Sequence, residues 1–440
     1  MCPTTALKHD PLRLLAPLRR RLQEDLSAAV LATLSADICV VEDAVYTQLL
    51  AHSAPFPGPI RVITLALGEI YERWRKQIAR PVPVQVSQGS DVSQTLLKQL
   101  LLSLMTHSPV PGDLWPTALA LANRNEKNLL ALKAMLALST IQPESHTPKI
   151  LWLLHLLLKE EAQHVTLRQT APDNIEGWHW LDSLGNFSTT SLRQSIPNVT
   201  SQLLFFQCTA LAARIEALLD TPPGPDHPWC RATGLSAADI QLTLRNIADQ
   251  WQSPASRRYS RRRQESRVQL CTRLDQLWSA LGDAPQEPEE NSHWMVLNES
   301  AGGYALMHAN GPTNGLTAGH ALGIKIQGKP WSLCLIRWIR SENSAHVEIG
   351  VELLAPEAQA VRLTLPDTEP QAAFLFPALP GLHQGEALLA PREHWGDEHA
   401  FVLLTEKAGQ LRITPCLRGA PRHQTSSIEV FEFSRLGREG

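Results

Sequence analysis

The sequence predicts an α+β multidomain protein with an all-α N-terminal domain, an antiparallel β-barrel and a C-terminal β-rich extension. A chain of 440 residues is longer than one ordinary hydrophobic core can serve, so more than one domain is expected. Leucine-rich helical periodicity runs to about residue 252. After residue 254 it gives way to alternating apolar and polar residues and to frequent glycine turns. This change predicts a domain boundary, with the helical domain over residues 1–253.

Apolar residues in the N-terminal half recur at the spacing of one helix face, as Leu97, Leu100 and Leu104 do. Helical segments are predicted near residues 59–78, 113–138, 147–168, 200–219 and 236–251. A capping box, Ser236 with Asp239, marks the start of the last segment. No repeat is regular enough to define a solenoid, and packing like that of tetratricopeptide repeats stays open.

The C-terminal half has the alternation of half-buried antiparallel strands, most clearly over residues 346–353. Similar alternation at Val361 and Leu363 indicates a further strand of the same barrel, which is predicted to span residues 254–366. Residues 367–440 then form the β-rich extension, which could build a second small β-unit.

Composition and charge exclude several classes of protein. The net charge of −3 gives no overall attraction to phosphate polymers or anionic membranes, so nucleic acid is not expected as a partner. The longest apolar stretch, residues 150–158, is about half of a membrane span, and the N-terminus lacks the apolar core of a signal peptide. The seven cysteines form no C-x-x-C pair, which is typical of reduced, buried thiols. We therefore expect a cytoplasmic protein with no transmembrane segment.

The sequence carries no catalytic constellation. It lacks the G-x-S-x-G, H-E-x-x-H and P-loop patterns. Glu161 and His164 form an E-x-x-H pair, but a di-iron bundle needs a second copy and two further carboxylates. We therefore predict that the protein is not an enzyme, with no catalytic residues, no metal and no cofactor.

A dense basic cluster, residues 257–267, lies at the predicted domain boundary. Within it, Arg263 and Arg267 form an R-x-x-x-R pair that Arg262 directly precedes. About thirty residues later an N-x-S-x-x-G pattern is formed by Asn298, Ser300 and Gly303. The order and spacing of these two motifs are more informative than the charge of the cluster alone.

Two later segments complete the pattern: a tryptophan-containing strand at residues 335–339 and a glycine-containing strand at residues 348–354. Together the four pieces resemble the motifs of the PilZ family, in which the tryptophan strand and the glycine-containing strand are partners. In that family the paired arginines lie on the approach to the first strand, and the second motif lies on a neighbouring strand and turn. The resemblance implies a PilZ-like β-barrel with cyclic di-GMP as its ligand. The ligand-binding residues that it implies are Arg262, Arg263, Arg267, Asn298, Ser300 and Gly303.

These residue types suit a cyclic dinucleotide, which carries two phosphate charges and guanine edges. A guanidinium is planar, charged and forked, so it can hold a phosphate or a guanine edge through two hydrogen bonds and can stack on a purine. Asn298 offers a donor and an acceptor, Ser300 offers a hydroxyl, and Gly303 allows close backbone approach. Residues of this kind bind a ligand without making or breaking bonds.

The predicted function is that of a cyclic di-GMP effector that passes ligand binding to an unidentified protein partner through its helical domain. Two other functions stay open. A degenerate PilZ-like adaptor would mediate protein–protein interaction without nucleotide, because R-x-x-x-R also occurs in solvated linkers and N-x-S-x-x-G in ordinary Asx-turns. A single-stranded nucleic-acid binder would use the basic cluster instead. Four tryptophans late in the helical half either pack in the core or anchor a partner: Trp178, Trp180, Trp229 and Trp251.

Overall fold

The computed structural model describes most of the chain in two compact units, residues 1–257 and 258–440. The described residues are 11–23, 26–51, 59–78, 92–182, 189–197, 203–221, 223–252, 262–263, 265–282, 286–289, 292–313, 315–343, 346–365, 368–378, 385–392, 400–407, 410–425 and 427–436. No helix within these ranges is both long enough and apolar enough to cross a membrane.

The N-terminal unit is helical, as predicted. Its helices are α1 (Pro11–Arg21), α2 (Ala28–Ala51), α3 (Pro59–Ile78), α4 (Val92–Met105), α5 (Leu114–Ala122), α6 (Glu126–Thr140), α7 (Pro148–Glu161), α8 (Thr209–Leu219), α9 (Pro228–Thr233) and α10 (Ala237–Gln252). Their inner faces are rich in leucine and form one core that reaches from Leu15 to Trp251. The predicted capping box starts α10, where Ser236 Oγ accepts a hydrogen bond from the Asp239 amide at 3.1 Å.

A small antiparallel sheet interrupts these helices, and sequence analysis did not predict it. Its strands are β1 (Thr166–Arg168), β2 (Trp178–Asp182), β3 (Thr190–Ser191) and β4 (Leu203–Gln207), in the order β1-β4-β2-β3. The helix predicted near 200–219 therefore begins only at Thr209. Residues 203–207 pair with β2, where Phe205 lies opposite Trp180 and packs with the buried Trp178. A short apolar run fits a strand or a helix equally well, and here aromatic cross-strand contacts decide it.

The second unit begins with a closed six-stranded antiparallel barrel, hereafter the first barrel. Its strands are β6 (Arg267–Cys271), β7 (Ser292–Ser300), β8 (Gly303–Asn310), β9 (Ala321–Ile326), β10 (Trp331–Asn343) and β11 (His346–Ala355). They follow the order β7-β6-β9-β10-β11-β8, and the pairing of β8 with β7 closes the ring. A short strand, β5 (Arg262–Arg263), pairs with the same edge of β7 as β6 does.

The C-terminal part forms a second closed barrel. Its strands are β12 (Gln359–Thr364), β13 (Gln371–Phe376), β14 (Ala387–Pro391), β15 (Ala400–Lys407), β16 (Gln410–Gln424) and β17 (Ile428–Arg435). Sequence analysis placed Val361 and Leu363 in the first barrel. That placement was wrong, because their strand β12 pairs with β13 and β15 of the second barrel.

A short helix, α11 (Leu274–Ala280), follows β6 in the sequence and packs between the two barrels. Leu277 is fully buried in a hydrophobic cluster that draws residues from both barrels, including Leu333 and Phe374. Trp278 Nε1 donates a hydrogen bond to the Val361 carbonyl of the second barrel at 2.8 Å. The barrels therefore share a core, in which the second barrel packs against the outside of β9 and β10.

Stability of the N-terminal unit should fall on acidification, with His155 as one cause. Burial, and then the nearby Lys159 and Lys98, lower the pKa of His155 to about 3, whereas an unfolded histidine has a pKa of about 6.5. The unfolded state therefore binds the proton first, and stability is lost as pH falls from about 6.5 toward about 3. We expect His155 to cost about 2 kcal/mol of unfolding free energy between pH 7 and pH 5.

Urea unfolding of the wild type and of His155→Gln at pH 7 and pH 5 measures this loss. The unfolding free energies at pH 7 and pH 5 should differ by about 2 kcal/mol less in the variant than in the wild type. An unchanged difference would contradict the assignment.

Candidate functional site

The two predicted binding motifs meet on neighbouring strands. Arg263 lies directly opposite Asn298 in the antiparallel pairing of β5 with β7, and Arg262 lies opposite Glu299. Opposite residues of an antiparallel pair share a face of the sheet. Arg263 and Asn298 are therefore neighbours on one face. Arg262, Arg263 and Arg267 are exposed, and Asn298 is half-buried.

A β-bulge determines which face Asn298 occupies. Trp294 and Val296 are buried inside the barrel, so regular alternation would also direct Asn298 inward. However, Val296 lies opposite Leu306 and Asn298 lies opposite Ala305, which makes Leu297 an extra residue in β7. A bulge of this kind re-aims the side chains that follow it. It places Asn298 on the outside of the barrel, on the same face as Arg263.

The register of five strands extends this outer face across the barrel in three rows of opposite residues. The first row consists of Arg263, Asn298, Ala305, Gly350 and Trp338. The second consists of Arg267, Met295, Met307, Glu348 and Arg340. The third contains Ser300, Gly303 and Glu352. With strands ~4.8 Å apart, the first row spans about 19 Å.

The middle of the first row is made of small residues, Ala305 and Gly350. A Cβ atom on Gly350 would lie 1.9 Å from Trp338 Nε1, so the indole lies across this glycine. The guanidinium carbon of Arg340 lies 5.2 Å from the centre of the Trp338 ring, within cation–π distance. The row therefore has guanidinium groups toward both ends, with small residues and the Trp338 indole between them. The pairing of Trp338 with Gly350 also confirms that the predicted tryptophan strand and glycine strand are partners.

The N-x-S-x-x-G segment forms the tight turn between β7 and β8, and the turn packs against β11. Gly303 has a φ of 146°, and a Cβ atom there would lie 2.0 Å from the Val351 carbonyl oxygen. Ser300 Oγ donates to the Gly303 carbonyl at 3.3 Å, and the Leu353 amide donates to the Gly302 carbonyl at 2.9 Å. Gly303 is therefore required for close backbone packing at this corner.

The structure brings together five of the six predicted residues: Arg263, Arg267, Asn298, Ser300 and Gly303 all hold positions on the outer face. Arg262 does not share it by register, because its row continues through Glu299 and Tyr304 to the buried Val351. In this row of Arg262, burial and then the nearby Glu299 raise the pKa of Tyr304. Other arginines of the basic cluster, Arg257, Arg258 and Arg261, lie outside the described residues.

Sequence analysis missed three charged residues of the outer face. Arg340 and Glu348 lie opposite each other in the second row, and Glu352 lies in the third. The spacing of two residues from Trp338 could have indicated Arg340, since alternate residues share a face. The sequence could not predict that Glu352 lies opposite Gly303, because some fifty residues separate them.

The glutamate of the E-x-x-H pair, Glu161, binds an arginine side chain. Glu161 Oε2 accepts a hydrogen bond from Arg214 Nε at 3.1 Å and lies 3.3 Å from His164 Nε2. Across the described ranges, no group of three or more histidine, cysteine, aspartate or glutamate residues is placed to hold a metal ion.

Replacing Gly303 by alanine should destabilise the first barrel by about 3 kcal/mol, from backbone strain and from the clash with the Val351 carbonyl. Gly328→Ala is the matched control, because Gly328 also has a positive φ of 77° but its Cβ would meet nothing within 4 Å. The control should lose only about 1 kcal/mol. Chemical denaturation measures both, and equal losses would show that the Val351 contact is unimportant.

Comparison with known proteins identifies part of this barrel. Residues 280–360 match the family described as the middle PilZ domain of the cyclic-di-GMP receptor FimW. FimW of Pseudomonas aeruginosa PAO1 is 31% identical over 103 residues, which cover 22% of this chain and 17% of FimW. The matched range contains Asn298, Ser300, Gly303 and Trp338, whereas the three arginines of β5 and β6 precede it. Residues 280–360 are thus similar to the middle PilZ domain of FimW.

Proposed function

We propose that this chain is a receptor for cyclic di-GMP, which binds on the outer face of the first barrel. The observation that carries the proposal is the register that sets Arg263 opposite Asn298, because it joins the R-x-x-x-R and N-x-S-x-x-G motifs on one face. The likeness of residues 280–360 to a domain of a cyclic-di-GMP receptor supports the same ligand. The site residues remain Arg262, Arg263, Arg267, Asn298, Ser300 and Gly303, with unequal roles.

Arg263 and Arg267 are the principal anchors in this proposal. Both are exposed, four residues apart on the strand edge, and on the same face, so both can turn a guanidinium toward one ligand. Each can hold a phosphate or a guanine edge through two hydrogen bonds. Asn298 reads a guanine edge beside them. Arg262 reaches the ligand only around the edge of β5, and Gly303 shapes the corner rather than contacting the ligand.

The charges of the outer face require more than one arginine. Glu348 and Glu352 both lie on this face and repel a dianion. His346 Nε2 lies 3.3 Å from Glu348 Oε1, and Arg337 Nε lies 2.6 Å from Glu352 Oε2, so both carboxylates have neighbouring cationic or polar groups. Further positive charge comes from Arg340 and from the strand edge of β5 and β6. A receptor of this kind binds without chemistry and needs no metal or cofactor.

The second part of the proposal concerns transmission. Ligand binding at β5 and β6 is passed to the helical unit, and the helical unit passes the signal to a protein partner in the bacterial cytoplasm. The position of β5 supports this, because it is the first described strand after α10. The alternative is an adaptor without nucleotide, and one observation favours it: the match to the PilZ family of FimW, residues 280–360, begins after the arginines.

Alanine at Arg263 or Arg267 should weaken binding of cyclic di-GMP at least tenfold, because each charge-assisted contact is worth roughly 1.5–3 kcal/mol. Arg412→Ala is the matched control, since Arg412 is an exposed arginine on the second barrel. Calorimetric titration of the full chain measures the affinities. A wild type that does not bind would indicate the adaptor. Indifference to cyclic di-GMP with steeply salt-dependent oligonucleotide binding would indicate the nucleic-acid function.

Transmission should change the arrangement of the two units in solution. We expect the small-angle scattering profile of the full chain to differ between ligand-free and saturated protein. The Arg263→Ala variant, measured at the same ligand concentration, should keep the ligand-free profile. Identical wild-type profiles in the presence of demonstrated binding would contradict transmission while leaving the receptor function intact.

A further inference from the structure

Arg337 is the extra residue of a second β-bulge, at the edge of the outer face. In the pairing of β10 with β11, Ile336 lies opposite Val351 and Trp338 lies opposite Gly350, which leaves Arg337 without an opposite residue. The backbone of Ile336 is held on its other side, where its amide donates to the His320 carbonyl at 2.9 Å. A fixed bulge that re-aims one side chain is a feature often found beside binding sites.

This bulge lies at the border between the covered and the open parts of the outer face. Before it, Leu333 and Leu335 are buried in the core shared with the second barrel. After it, Trp338 and Arg340 lie in the open rows. His423 of the second barrel marks the border: burial lowers its pKa, Glu352 opposes this effect, and Arg337 adds to it. Arg337 therefore lies where the second barrel ends and the candidate site begins.

The present partner of Arg337 is a residue of the candidate site. Arg337 Nε lies 2.6 Å from Glu352 Oε2, and Glu352 is opposite Gly303 at the N-x-S-x-x-G corner. The Arg337 side chain is 54% exposed and that of Glu352 is 31% exposed. Glu352 Oε2 itself is buried, whereas the Arg337 side chain is open to water, so a phosphate can reach the guanidinium and compete for it.

We propose that Arg337 is a further guanidinium of the ligand site and binds the phosphate that faces β10. A cyclic dinucleotide has two phosphates on opposite sides of its ring. Arg263 and Arg267 lie at the β5–β6 side of the outer face, whereas Arg337 lies at the β10 side, with Ala305 and the Trp338 indole over Gly350 between them. On binding, Arg337 exchanges Glu352 for a phosphate oxygen. This inference rests on the proposed receptor function and extends it to the strand that contacts the second barrel.

Calorimetric titration of the full chain with cyclic di-GMP tests the inference through two variants. Arg337→Ala should weaken binding about tenfold, the loss expected for one charge-assisted contact. Glu352→Gln breaks the same ion pair but keeps the guanidinium, so it should bind at least as tightly as the wild type. Arg412→Ala is the control and should leave binding unchanged. It removes the same charge, but Arg412 and His423 lie near opposite ends of β16.

Each result separates this inference from the proposed function. If Arg337→Ala binds as the wild type does, or if Glu352→Gln is weakened as much as Arg337→Ala, the inference is overturned. In that case a loss of binding in Arg263→Ala still supports the receptor. If the wild type does not bind cyclic di-GMP, the receptor proposal fails and this inference fails with it. Urea unfolding of each variant confirms that binding is compared between folded proteins.

Discussion

The candidate site depends on the antiparallel register of the strand edge β5–β6 against β7. A slip of one residue would place Arg262 opposite Asn298 and turn Arg263 to the other face. The apolar residues of β6 set this register, because Val268 lies opposite Trp294 and both are buried in the barrel. Correct burial at one end of the strand edge therefore determines which arginine reaches the outer face at the other end.

Two bulges convert a regular barrel into a shaped surface. The first, at Leu297, directs Asn298 to the outside of the barrel, whereas Trp294 and Val296 before it point inward. The second, at Arg337, separates the buried part of β10 from its open part. Both act by the same geometry, since one extra residue reverses the inward and outward alternation of all that follow. The polar groups of the site are thus obtained without placing a polar side chain in the core.

The two barrels behave as one structural unit because they bury apolar side chains between them. Leu277 of α11 and Leu333 of β10 belong to a cluster that also includes Phe374 of the second barrel. The hydrogen bond from Trp278 to Val361 fixes the helix against the second barrel. Leu335, two residues before Arg337, is buried in the same cluster, so Arg337 lies next to the contact between the two barrels.

The sequence alone determined the change from helical to β-structure and the R-x-x-x-R and N-x-S-x-x-G motifs. These features are local, because periodicity and turn residues act within a few positions along the chain. Only the tertiary structure decided that β12 belongs to the second barrel, that residues 203–207 form a strand, and that Arg337 and Glu352 lie beside the Gly303 corner. The physical reason is that alternation looks the same in a strand of either barrel, whereas register and ring closure join residues far apart in the sequence.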